Sequence, residues 1–566
     1  MSKASSLERS LARRLNRDIS CTEKNGALVL EGNVRTWDDV VFAGKKGAKL
    51  GYRGVVNRLT SDGHHPPATG PRAPGIRDAT LHGQHMDVLV IGGGAVGAAI
   101  LRELARWEIR ACLIEKEADL AMHQSGRNAG MVHPALVPSP GSRKALFNSL
   151  GNAMFPSIAE ELRVPFRYNG MMIIVKSLFH GIAYPFLAER ARRNRAGEIE
   201  FLTLGKLRSM EPNVRGNVGG AFFMPQSGIV DPFMLTIALA ENAVENGATV
   251  HLNTMAESIV VEEGRISAVV TNRGTVHPRV VVNAAGLWAD TVAEAAGDRF
   301  FTIHPRHGEM LILDKKKGNL ATSALSMVDI IQQAQTDTKG GGVIPTVDGN
   351  ILIGPDAVEL PHREEYVTTA RRTDSLIEKQ QRFMTGILAS DVITYFTGAR
   401  AATYEEDFII ERSERVPNLV HAAGIQSPGL TSAPAIAREV ASHCVDALRE
   451  TTDVRPNPRF NPRRNVPPDF GSLPFEERQR IIKANPDYGR VVCRCEVVTA
   501  GEIRAALRSP IPPTTLDGLK RRVRTGMGRC QGGFCTCRVM DLISRETGTP
   551  VHLLTTCATC SSFTSL

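Results

Sequence analysis

The sequence predicts an α/β protein with added α+β modules, and three observations point to this class. The 566 residues are 42% apolar, so the chain can pack cores in several domains. Strand and helix signals alternate through residues 86–450 without an internal repeat, which favours a parallel sheet flanked by helices. At residues 86–97 an apolar strand runs into a glycine-rich turn and then a helix, which is typical of a Rossmann-like unit.

Residues 1–60 form the first predicted unit, a small α/β module. Leucines recur every four positions from Leu7 to Leu15, which predicts an amphipathic helix. The strand-like run ALVLEGNV follows, then a helix over about 37–50, and then the short strand GVVNRL. Residues 61–85 lack periodicity and are rich in Gly, Pro and His, which predicts a linker.

Three further stretches follow the central region. Residues 451–489 hold many prolines and several basic residues, which predicts a second linker lying over the neighbouring domains. Residues 490–550 are too few to bury a large core, and a bound metal would stabilise them. Residues 551–566 are left as a short tail that contains Cys557 and Cys560.

The net charge of +9 comes from the two flanks of the chain. Residues 1–85 carry 14 Lys and Arg against 8 Asp and Glu, and residues 451–566 carry 18 against 10, whereas 86–450 carry 36 against 41. The flanks show neither aromatic interleaving nor a known reader motif, so no nucleic-acid partner is predicted. The chain lacks an apolar N-terminal leader and a run of roughly 20 apolar residues. This predicts a cytoplasmic protein and leaves peripheral membrane contact open.

The glycine-rich turn carries the pattern G-x-G-x-x-G at Gly92, Gly94 and Gly97. The first glycine permits the tight turn, the second lets the backbone approach a pyrophosphate, and the third brings helix and strand together. The helix N-terminus then offers unpaired amides to the phosphates. A second strand ends at Glu115 and Lys116, and Glu115 lies 18 positions after Gly97, which suits a ribose hydroxyl. The pattern predicts a dinucleotide site for either FAD or NAD.

Later segments favour FAD through a family resemblance. VVVNAAGLWAD at 280–290 and HAAGIQSPGLTSAPAIA at 421–437 resemble flavoproteins of the D-amino-acid-oxidase type, and SGRNAGMVH at 125–133 resembles FAD-dependent glycerol-3-phosphate and 2-hydroxyglutarate dehydrogenases. The resemblance covers residues 86–437 and implies a FAD-binding domain interleaved with an antiparallel-sheet substrate domain. The further cofactor-binding residues that it implies are Ser125, Arg127, Asn128, Gly130, Ala285, Gly286, Gly424, Ser427, Pro428, Gly429 and Leu430.

Oxidation of a hydroxylated substrate by a flavin needs a base for the hydroxyl proton and a clamp for the substrate's charge. We expect His133 to be the base, because imidazole changes protonation near neutral pH. A histidine that only satisfies backbone groups beside the cofactor is an equally good interpretation. We expect Arg400 to be the clamp, since its planar guanidinium suits a carboxylate or a phosphate, with Lys339 as a second clamp. A surface ion pair of Arg400 with Glu405 or Glu406 is the competing interpretation.

Seven of the ten cysteines fall within the last 74 residues. Cys493 and Cys495 form a C-x-C pair, and Cys530 and Cys535 form a C-x4-C pair. Four thiolates in two close pairs can hold zinc or a 2Fe–2S cluster, and the C-x-C spacing fits the cluster better. The segment also resembles the bacterioferritin-associated-ferredoxin-like domain of anaerobic glycerol-3-phosphate dehydrogenases, which implies a 2Fe–2S cluster. Cys537 is a bystander or a substitute ligand.

The run NGALVLEGNV, the helix after it and GVVNRL give residues 1–60 a resemblance to the BON domain. That family is associated with phospholipid or partner binding. The resemblance implies either lipid docking through Arg and Lys or a role as a protein–protein adaptor, and we rank the adaptor slightly higher.

The residues and the resemblances together predict a FAD-dependent dehydrogenase acting on a small anionic substrate, with glycerol 3-phosphate as the first expectation. A cluster beside a flavin implies electron transfer to an acceptor protein or a quinone-linked subunit. Segments 305–315, 338–355 and 396–410 look most like the 2-hydroxyglutarate branch, so L-2-hydroxyglutarate or another 2-hydroxy acid stays open as substrate. Two more hypotheses stay open, which are a non-catalytic electron-transfer adaptor and an amino- or imino-acid dehydrogenase subunit.

Overall fold

The computed structural model describes residues 2–62, 70–327, 341–467, 469–557 and 560–562, with residue 557 and the last three given as backbone only. These residues form a small N-terminal module, a large central body and a small C-terminal module. The class is mixed α/β, as the sequence predicts. None of the described helices is long and apolar enough to cross a bilayer.

The N-terminal module is a four-stranded sheet that shares one apolar core with two helices. Its elements are α1 (Lys3–Leu15), β1 (Ile19–Lys24), β2 (Ala27–Val34), α2 (Trp37–Ala48), β3 (Val55–Asn57) and β4 (Thr60–Ser61). β2 lies at the centre, antiparallel to β1 and parallel to β3 and β4. Leu7 and Leu11 are buried, as the four-residue spacing predicts. The predicted helices and strands are confirmed, and β1 and β4 extend the sheet.

This module packs against the central body around the ring of Tyr404, which lies inside the module's core. The Asn57 side-chain amide donates a hydrogen bond to the Tyr404 hydroxyl at 3.0 Å. A Cβ added to Gly44 would lie 2.4 Å from the same ring, so glycine is needed there for the close contact. Arg53 and Glu411 form an ion pair at 2.6 Å across the interface. The module is therefore a packed part of the molecule.

The central body contains two large sheets and the helices that cover them. Its described helices are α3 (Ala95–Leu104), α4 (Arg143–Leu162), α5 (Tyr184–Asn194), α6 (Leu204–Met210), α7 (Pro232–Glu245), α8 (Ala289–Ala295), α9 (Ala370–Gln381) and α10 (Gly429–Arg449). Its described strands are β5 (Gln84–Ile91), β6 (Ala111–Ile114), β7 (Met131–Val132), β8 (Phe166–Tyr168), β9 (Met171–Val175), β10 (Glu200–Thr203), β11 (Gly220–Met224), β12 (Gly228–Val230), β13 (Thr249–His251), β14 (Ala256–Glu262), β15 (Arg265–Thr271), β16 (Gly274–Asn283), β17 (His304–Leu313), β18 (Ala324–Met327), β19 (Gly342–Pro345), β20 (Ile351–Gly354), β21 (Val358–Glu359), β22 (Val392–Ala402), β23 (Ile409–Arg412) and β24 (Leu419–Ala423).

The first sheet of the body has a parallel centre with the order β13-β6-β5-β16-β24. The antiparallel strands β15, β14 and β23 extend it. Apolar side chains of α3, α4, α7 and α10 join those of the sheet in the largest core of the molecule. β5, β6 and β16 end at the same edge, where a doubly wound sheet places its ligand.

The second sheet has the order β10-β11-β9-β18-β19-β20-β17-β21, with β22 paired to β17. Its described pairs are antiparallel except for β18 with β9. The long pair β17–β22 runs from His304 opposite Ala402 to Leu313 opposite Val392. The antiparallel substrate domain that the resemblance implies is therefore present.

Residues 451–489 cross the surface of the body before the C-terminal module begins. Arg464 pairs with Glu241 of α7 at 2.7 Å, and its backbone N–H donates to the Glu161 carbonyl of α4. The remaining elements are α11 (Phe475–Ala484), β25 (Val491–Cys493), β26 (Val498–Thr499), α12 (Ala500–Leu507), α13 (Leu516–Val523), α14 (Thr536–Thr547), β27 (Thr555–Cys557) and β28 (Cys560–Ser562). The C-terminal module is mostly helical.

A buried cluster of charges, which we call the Asp119 latch, holds the C-terminal module against the body. Arg522 donates to both carboxylate oxygens of Asp119 at 2.9 and 3.0 Å, and Arg521 donates at 3.2 Å. Burial opposes the charge on Asp119, but the two guanidinium groups lower the pKa of its carboxyl. Loss of one partner from such a buried pair costs about 3–5 kcal/mol. The latch therefore fixes the position of the module.

Candidate active site

The glycine-rich turn folds as predicted, with β5 leading into α3. Gly92 has a φ of +117°, which glycine adopts readily and other residues rarely do. A Cβ on Gly97 would lie 2.0 Å from the Gly92 carbonyl oxygen, so the third glycine permits the close contact of helix and strand. α3 starts at Gly94 without a side-chain cap, and Val96 lines a cleft beside it. The helix end can therefore bind a pyrophosphate through its amides.

A cavity of about 860 Å³ opens on one side of this turn. The Glu115 carboxylate accepts hydrogen bonds from the backbone N–H groups of Gly93 and Glu117 at 2.6 and 2.9 Å. These two bonds hold the carboxylate at the end of β6, where the sequence predicts contact with a ribose. The predicted residues that line this cavity are Gly92, Gly94, Glu115, Lys116, Ser125, Ala285 and Gly286.

A buried charge network closes this end of the site. Lys116 pairs with Glu117 and with Glu364, the latter at 2.8 Å, and His123 contacts Glu117 at 2.9 Å. Burial works against ionised Glu117, but the His123 hydrogen bond and the Lys116 charge hold the pKa of the Glu117 carboxyl at about 2. The side chains of Glu117, His123 and Glu364 lie close enough to one another to share a metal ion. Lys116 supplies a positive charge beside the two carboxylates.

A cleft of about 1490 Å³ lies on the other side of the turn. The Ser125 hydroxyl accepts a hydrogen bond from the Ala95 N–H at 2.9 Å, which ties the segment to the start of α3. Asn128 donates to the Gln124 and Ser125 carbonyls and so shapes the turn that follows. The predicted cofactor-binding residues that line this cleft are Gly94, Gly97, Ser125, Arg127, Asn128, Gly286, Ser427, Pro428, Gly429 and Leu430.

The late glycine turn brings α10 to the same cleft. Gly424 has a φ of +66° and lies behind the cleft wall, where it turns the chain after β24. α10 then begins at Gly429. Gln124, which the sequence patterns do not mark, donates to the Ile425 carbonyl at 2.8 Å and accepts from the Ala401 N–H at 2.7 Å. It joins three segments that are far apart in sequence, so no local signal could have found it.

Arg400 lies in the wall of the cleft, as expected for an anion clamp. Its Nη2 donates to the Asp356 carbonyl at 3.1 Å, and its buried Nη1 has no hydrogen-bond partner among the described residues. Burial, together with the positive charge of Arg306, lowers the pKa of Arg400 to about 10. The guanidinium therefore stays charged at neutral pH and offers an unused donor.

The competing interpretation of Arg400 as a surface ion pair is wrong for the residues the structure describes. Glu406 pairs with Arg306 at 2.5 Å and with Lys144 at 3.5 Å. The Glu405 carboxylate is buried away from Arg400, and burial raises the pKa of this carboxyl to about 7. β22 places Arg400 on the cleft wall, and the two glutamates follow after the strand has ended.

His133 lines the same cleft as Arg400. Its backbone N–H donates to the Thr431 hydroxyl at 2.9 Å, and its carbonyl accepts from the Asn152 amide at 3.1 Å. These bonds fix the residue between the start of α10 and α4. Lys339, the predicted second clamp, lies outside the described residues. Gly130 lines a different cavity, described below.

The four predicted metal-ligating cysteines converge at one end of the C-terminal module. The Sγ atoms of Cys493 and Cys495 are 3.8 Å apart, and those of Cys495 and Cys530 are 3.7 Å apart. Cys535 contacts Cys493 and completes the group. A Cβ on Gly528 would lie 2.5 Å from the Cys495 Sγ, so glycine leaves room beside the thiols. Four sulfurs at this spacing suit a metal cluster.

The other cysteines are separate from this group. Cys537 is exposed on α14. Cys21, Cys112 and Cys444 are buried, as expected for packing residues. The side chains of the last two cysteines in the tail lie outside the described residues.

A cavity of about 1210 Å³ is lined by residues of both the body and the C-terminal module. Arg127 and Asn128 line both this cavity and the cleft that contains Arg400 and His133. Met527 and Gln531, which lie on either side of Cys530 in the sequence, line the same cavity. The cavity therefore connects residues of the cleft wall with residues next to Cys530.

Comparison with known protein families decides the class. Residues 87–443 match the family "FAD dependent oxidoreductase", and residues 491–545 match the "BFD-like [2Fe-2S] binding domain". The chain belongs to the FAD-dependent oxidoreductase family. This oxidoreductase is 37% identical to a glycerol 3-phosphate dehydrogenase of Caloramator mitchellensis, across 82% of the chain and 94% of the relative. It is 28% identical to one subunit of the anaerobic glycerol-3-phosphate dehydrogenase of Escherichia coli K12, across 82% of the chain and 89% of that subunit.

A solved structure gives the same assignment for the body of this oxidoreductase. L-α-glycerophosphate oxidase of Mycoplasma pneumoniae, with FAD bound, superposes with a TM-score of 0.62 at 26% identity, over 68% of this chain and 99% of the oxidase. The glycine-rich start of α3, the fixed Glu115 and the glycine-lined cleft fit FAD. The four converging thiols fit the 2Fe–2S cluster, and zinc is no longer needed to explain them. FAD and 2Fe–2S are therefore the cofactors of this oxidoreductase.

Proposed function

We propose that this oxidoreductase oxidises glycerol 3-phosphate to the corresponding ketone and passes the electrons through its cluster to an acceptor. The observation that carries the proposal is the charged Arg400 in the flavin-side cleft, whose Nη1 lacks a hydrogen-bond partner among the described residues. A buried cation of this kind is stabilised by an anionic ligand such as a phosphate or a carboxylate. Two relatives named as glycerol 3-phosphate dehydrogenases favour the phosphate.

The proposed reaction assigns a role to each side of the cleft. The carbinol carbon loses a hydride and its hydroxyl loses a proton, which leaves a carbonyl group. The cleft would hold FAD, which would supply the acceptor for this hydride. We assign the proton to the His133 imidazole, because His133 and Arg400 line one cleft and the backbone of His133 is held at both ends. Arg400 would orient the substrate by its phosphate, which sets the reacting carbon relative to the base.

The C-terminal module supports a dehydrogenase that feeds an acceptor. A 2Fe–2S cluster takes single electrons, and an enzyme that delivers both electrons to oxygen has no need of one. An electron-acceptor protein or a quinone-linked subunit would receive these electrons, and peripheral contact with a membrane surface would bring the enzyme close to such an acceptor. We keep the sequence-based units 1–60, 61–85, 86–450, 451–489, 490–550 and 551–566 as functional divisions, with the BON-like first unit proposed as an adaptor.

Anaerobic mixing of the holoprotein with a substrate panel tests the proposed function. We expect glycerol 3-phosphate to bleach the visible flavin absorbance and then reduce the cluster, observed as its electron paramagnetic resonance signal. L-2-hydroxyglutarate, glycine and L-proline are expected to react far more slowly. Faster bleaching by L-2-hydroxyglutarate would replace the substrate assignment. Bleaching by none of the panel, with reduction by a protein partner instead, would favour the non-catalytic adaptor.

The His133→Asn variant is expected to lower kcat for glycerol 3-phosphate by about 10²–10⁴, because asparagine cannot accept the hydroxyl proton. KM and the FAD content should change little, since the backbone anchors of His133 do not depend on its ring. Steady-state dye reduction measures kcat, and visible absorbance measures bound FAD. His443→Asn on the surface of α10 is the matched control. A kcat within about threefold of the parent would rule out the proton-transfer role.

A further inference from the structure

The chain between β9 and β10 of the second sheet carries a patch of exposed apolar side chains. A 3₁₀ turn at Leu178–Ala183 leads directly into α5. Phe179 is 80% exposed, Ile182 is 79% exposed and Phe186 is 69% exposed, and Leu178 beside them is also exposed. Isolated apolar side chains are common on protein surfaces, but four large ones within nine residues mark an interaction site. We call residues 176–195 the 176–195 segment.

The patch is held rigidly, so its exposure is built into the fold. A Cβ on Gly181 would lie 3.1 Å from the Phe201 ring, and a Cβ on Gly219 would lie 2.2 Å from the Leu178 backbone nitrogen. Both glycines allow the 3₁₀ turn to pack in close contact with the sheet. Ala191 and Asn194 form the buried side of α5, and Asn194 donates to the Ala135 carbonyl at 2.7 Å. The opposite side of the turn and helix therefore faces away from the body.

Basic residues accompany the apolar ones. The 176–195 segment contains five Lys and Arg and one acidic residue, Glu189. Arg192 pairs with Glu189 at 2.7 Å, which leaves an excess of positive charge around exposed Arg193 and Arg195. The exposed apolar residues precede four of the segment's five cations in the sequence. Exposed apolar side chains beside exposed cations suit an anionic bilayer, because the apolar groups can enter the acyl boundary while the cations meet the headgroups.

We propose that the 176–195 segment docks this oxidoreductase onto the surface of an anionic phospholipid bilayer. The charge excess argues for lipid headgroups, and the rigid apolar turn supplies the insertion depth that a purely electrostatic contact lacks. The site is distinct from the N-terminal module, whose BON-like sequence also implies lipid contact. The proposal goes beyond substrate oxidation and does not depend on which substrate is oxidised.

Vesicle co-sedimentation of the holoprotein tests the docking surface. We expect the parent protein to pellet with phosphatidylcholine–phosphatidylglycerol vesicles and more weakly with pure phosphatidylcholine. The triple variant Phe179→Ser/Ile182→Ser/Phe186→Ser should raise the half-saturating lipid concentration by at least about tenfold, since it removes most of the buried apolar area. Arg193→Glu/Arg195→Glu should abolish the preference for the anionic lipid.

A matched control is Val367→Ser/Leu388→Ser/Phe475→Ser, which removes three exposed apolar side chains from other elements. It should bind vesicles like the parent. The patch variant should keep its FAD content and its rate of flavin bleaching by glycerol 3-phosphate, which separates a docking defect from misfolding and from failure of the proposed function.

Amide hydrogen exchange locates the contact. Vesicles should slow exchange within the 176–195 segment and leave residues 1–60 unchanged. Protection confined to residues 1–60 would overturn the proposal in favour of the N-terminal module. Absence of vesicle binding by the parent would also overturn it, as would a parent dimer that the patch variant converts to a monomer, because the patch would then be a subunit interface.

Discussion

Replacing Arg400 by methionine is expected to lower kcat/KM for glycerol 3-phosphate by about 10²–10³. The guanidinium is buried and charged, and its Nη1 has no hydrogen-bond partner among the described residues. It can therefore donate a hydrogen bond to an anionic group of the substrate. Methionine keeps the volume and the apolar contacts but removes the charge. The kcat/KM of the Arg400→Lys variant should lie between those of the parent and of Arg400→Met, because an ammonium keeps the charge but cannot form the forked contact with a phosphate.

Glycerol serves as the matched substrate for this experiment, because it lacks only the phosphate. The parent enzyme should have a much higher kcat/KM for glycerol 3-phosphate than for glycerol. In the Arg400→Met variant, kcat/KM should fall for glycerol 3-phosphate and stay nearly unchanged for glycerol. Arg371→Met, an exposed change on α9, controls for a general loss of positive charge. Equal losses for the two substrates would show that Arg400 maintains the fold of the cleft and does not bind the phosphate.

Replacing Cys495 by serine is expected to remove the cluster while leaving the flavin reaction intact. Cys495 lies between Cys493 and Cys530, at 3.8 and 3.7 Å, so its loss breaks the group at its centre. Iron and acid-labile sulfide should fall by at least about tenfold, and reduction of a one-electron acceptor should slow with them. Bleaching of the flavin by substrate should continue, because FAD binds in the separate body.

Cys537→Ser is the control for this change, since Cys537 is exposed on α14 and outside the four-thiol group. It should retain iron, sulfide and the acceptor reaction. Iron loss in both variants would make Cys537 a fifth participant. A parent protein that holds one zinc and no acid-labile sulfide would refute the cluster assignment itself.

Local patterns in the sequence predict the parts of the site that are local in the fold. The strand, turn and helix around Gly92 lie within 21 consecutive residues, Gln84–Leu104, so the glycine spacing is sufficient to place them. The two cysteine pairs are also short motifs. If all four thiols bind one metal cluster, the two pairs must lie close together in the fold. The alternation of Leu7 and Leu11 with polar residues likewise predicts the buried face of α1.

Contacts between distant segments could not be predicted in this way. Gln124 bridges Ala401 and Ile425, and Tyr404 fills the core of a module that ends near residue 60. Such contacts depend on how the sheets pack against each other, and this packing produces no periodic pattern in the sequence. The competing interpretation of Arg400, an ion pair with Glu405 or Glu406, fails for the same reason, because the strand register and not the sequence distance decides which side chains meet.

The Asp119 latch also determines how the electrons travel. A cluster domain on a free tether would reach the flavin by diffusion, at an effective concentration set by the tether, and its approach would respond to ionic strength. Arg522 and Asp119 instead hold the domain in a contact that water and salt barely reach. Transfer within the molecule then needs no encounter step. Only the final delivery to an external acceptor remains a collision between two particles.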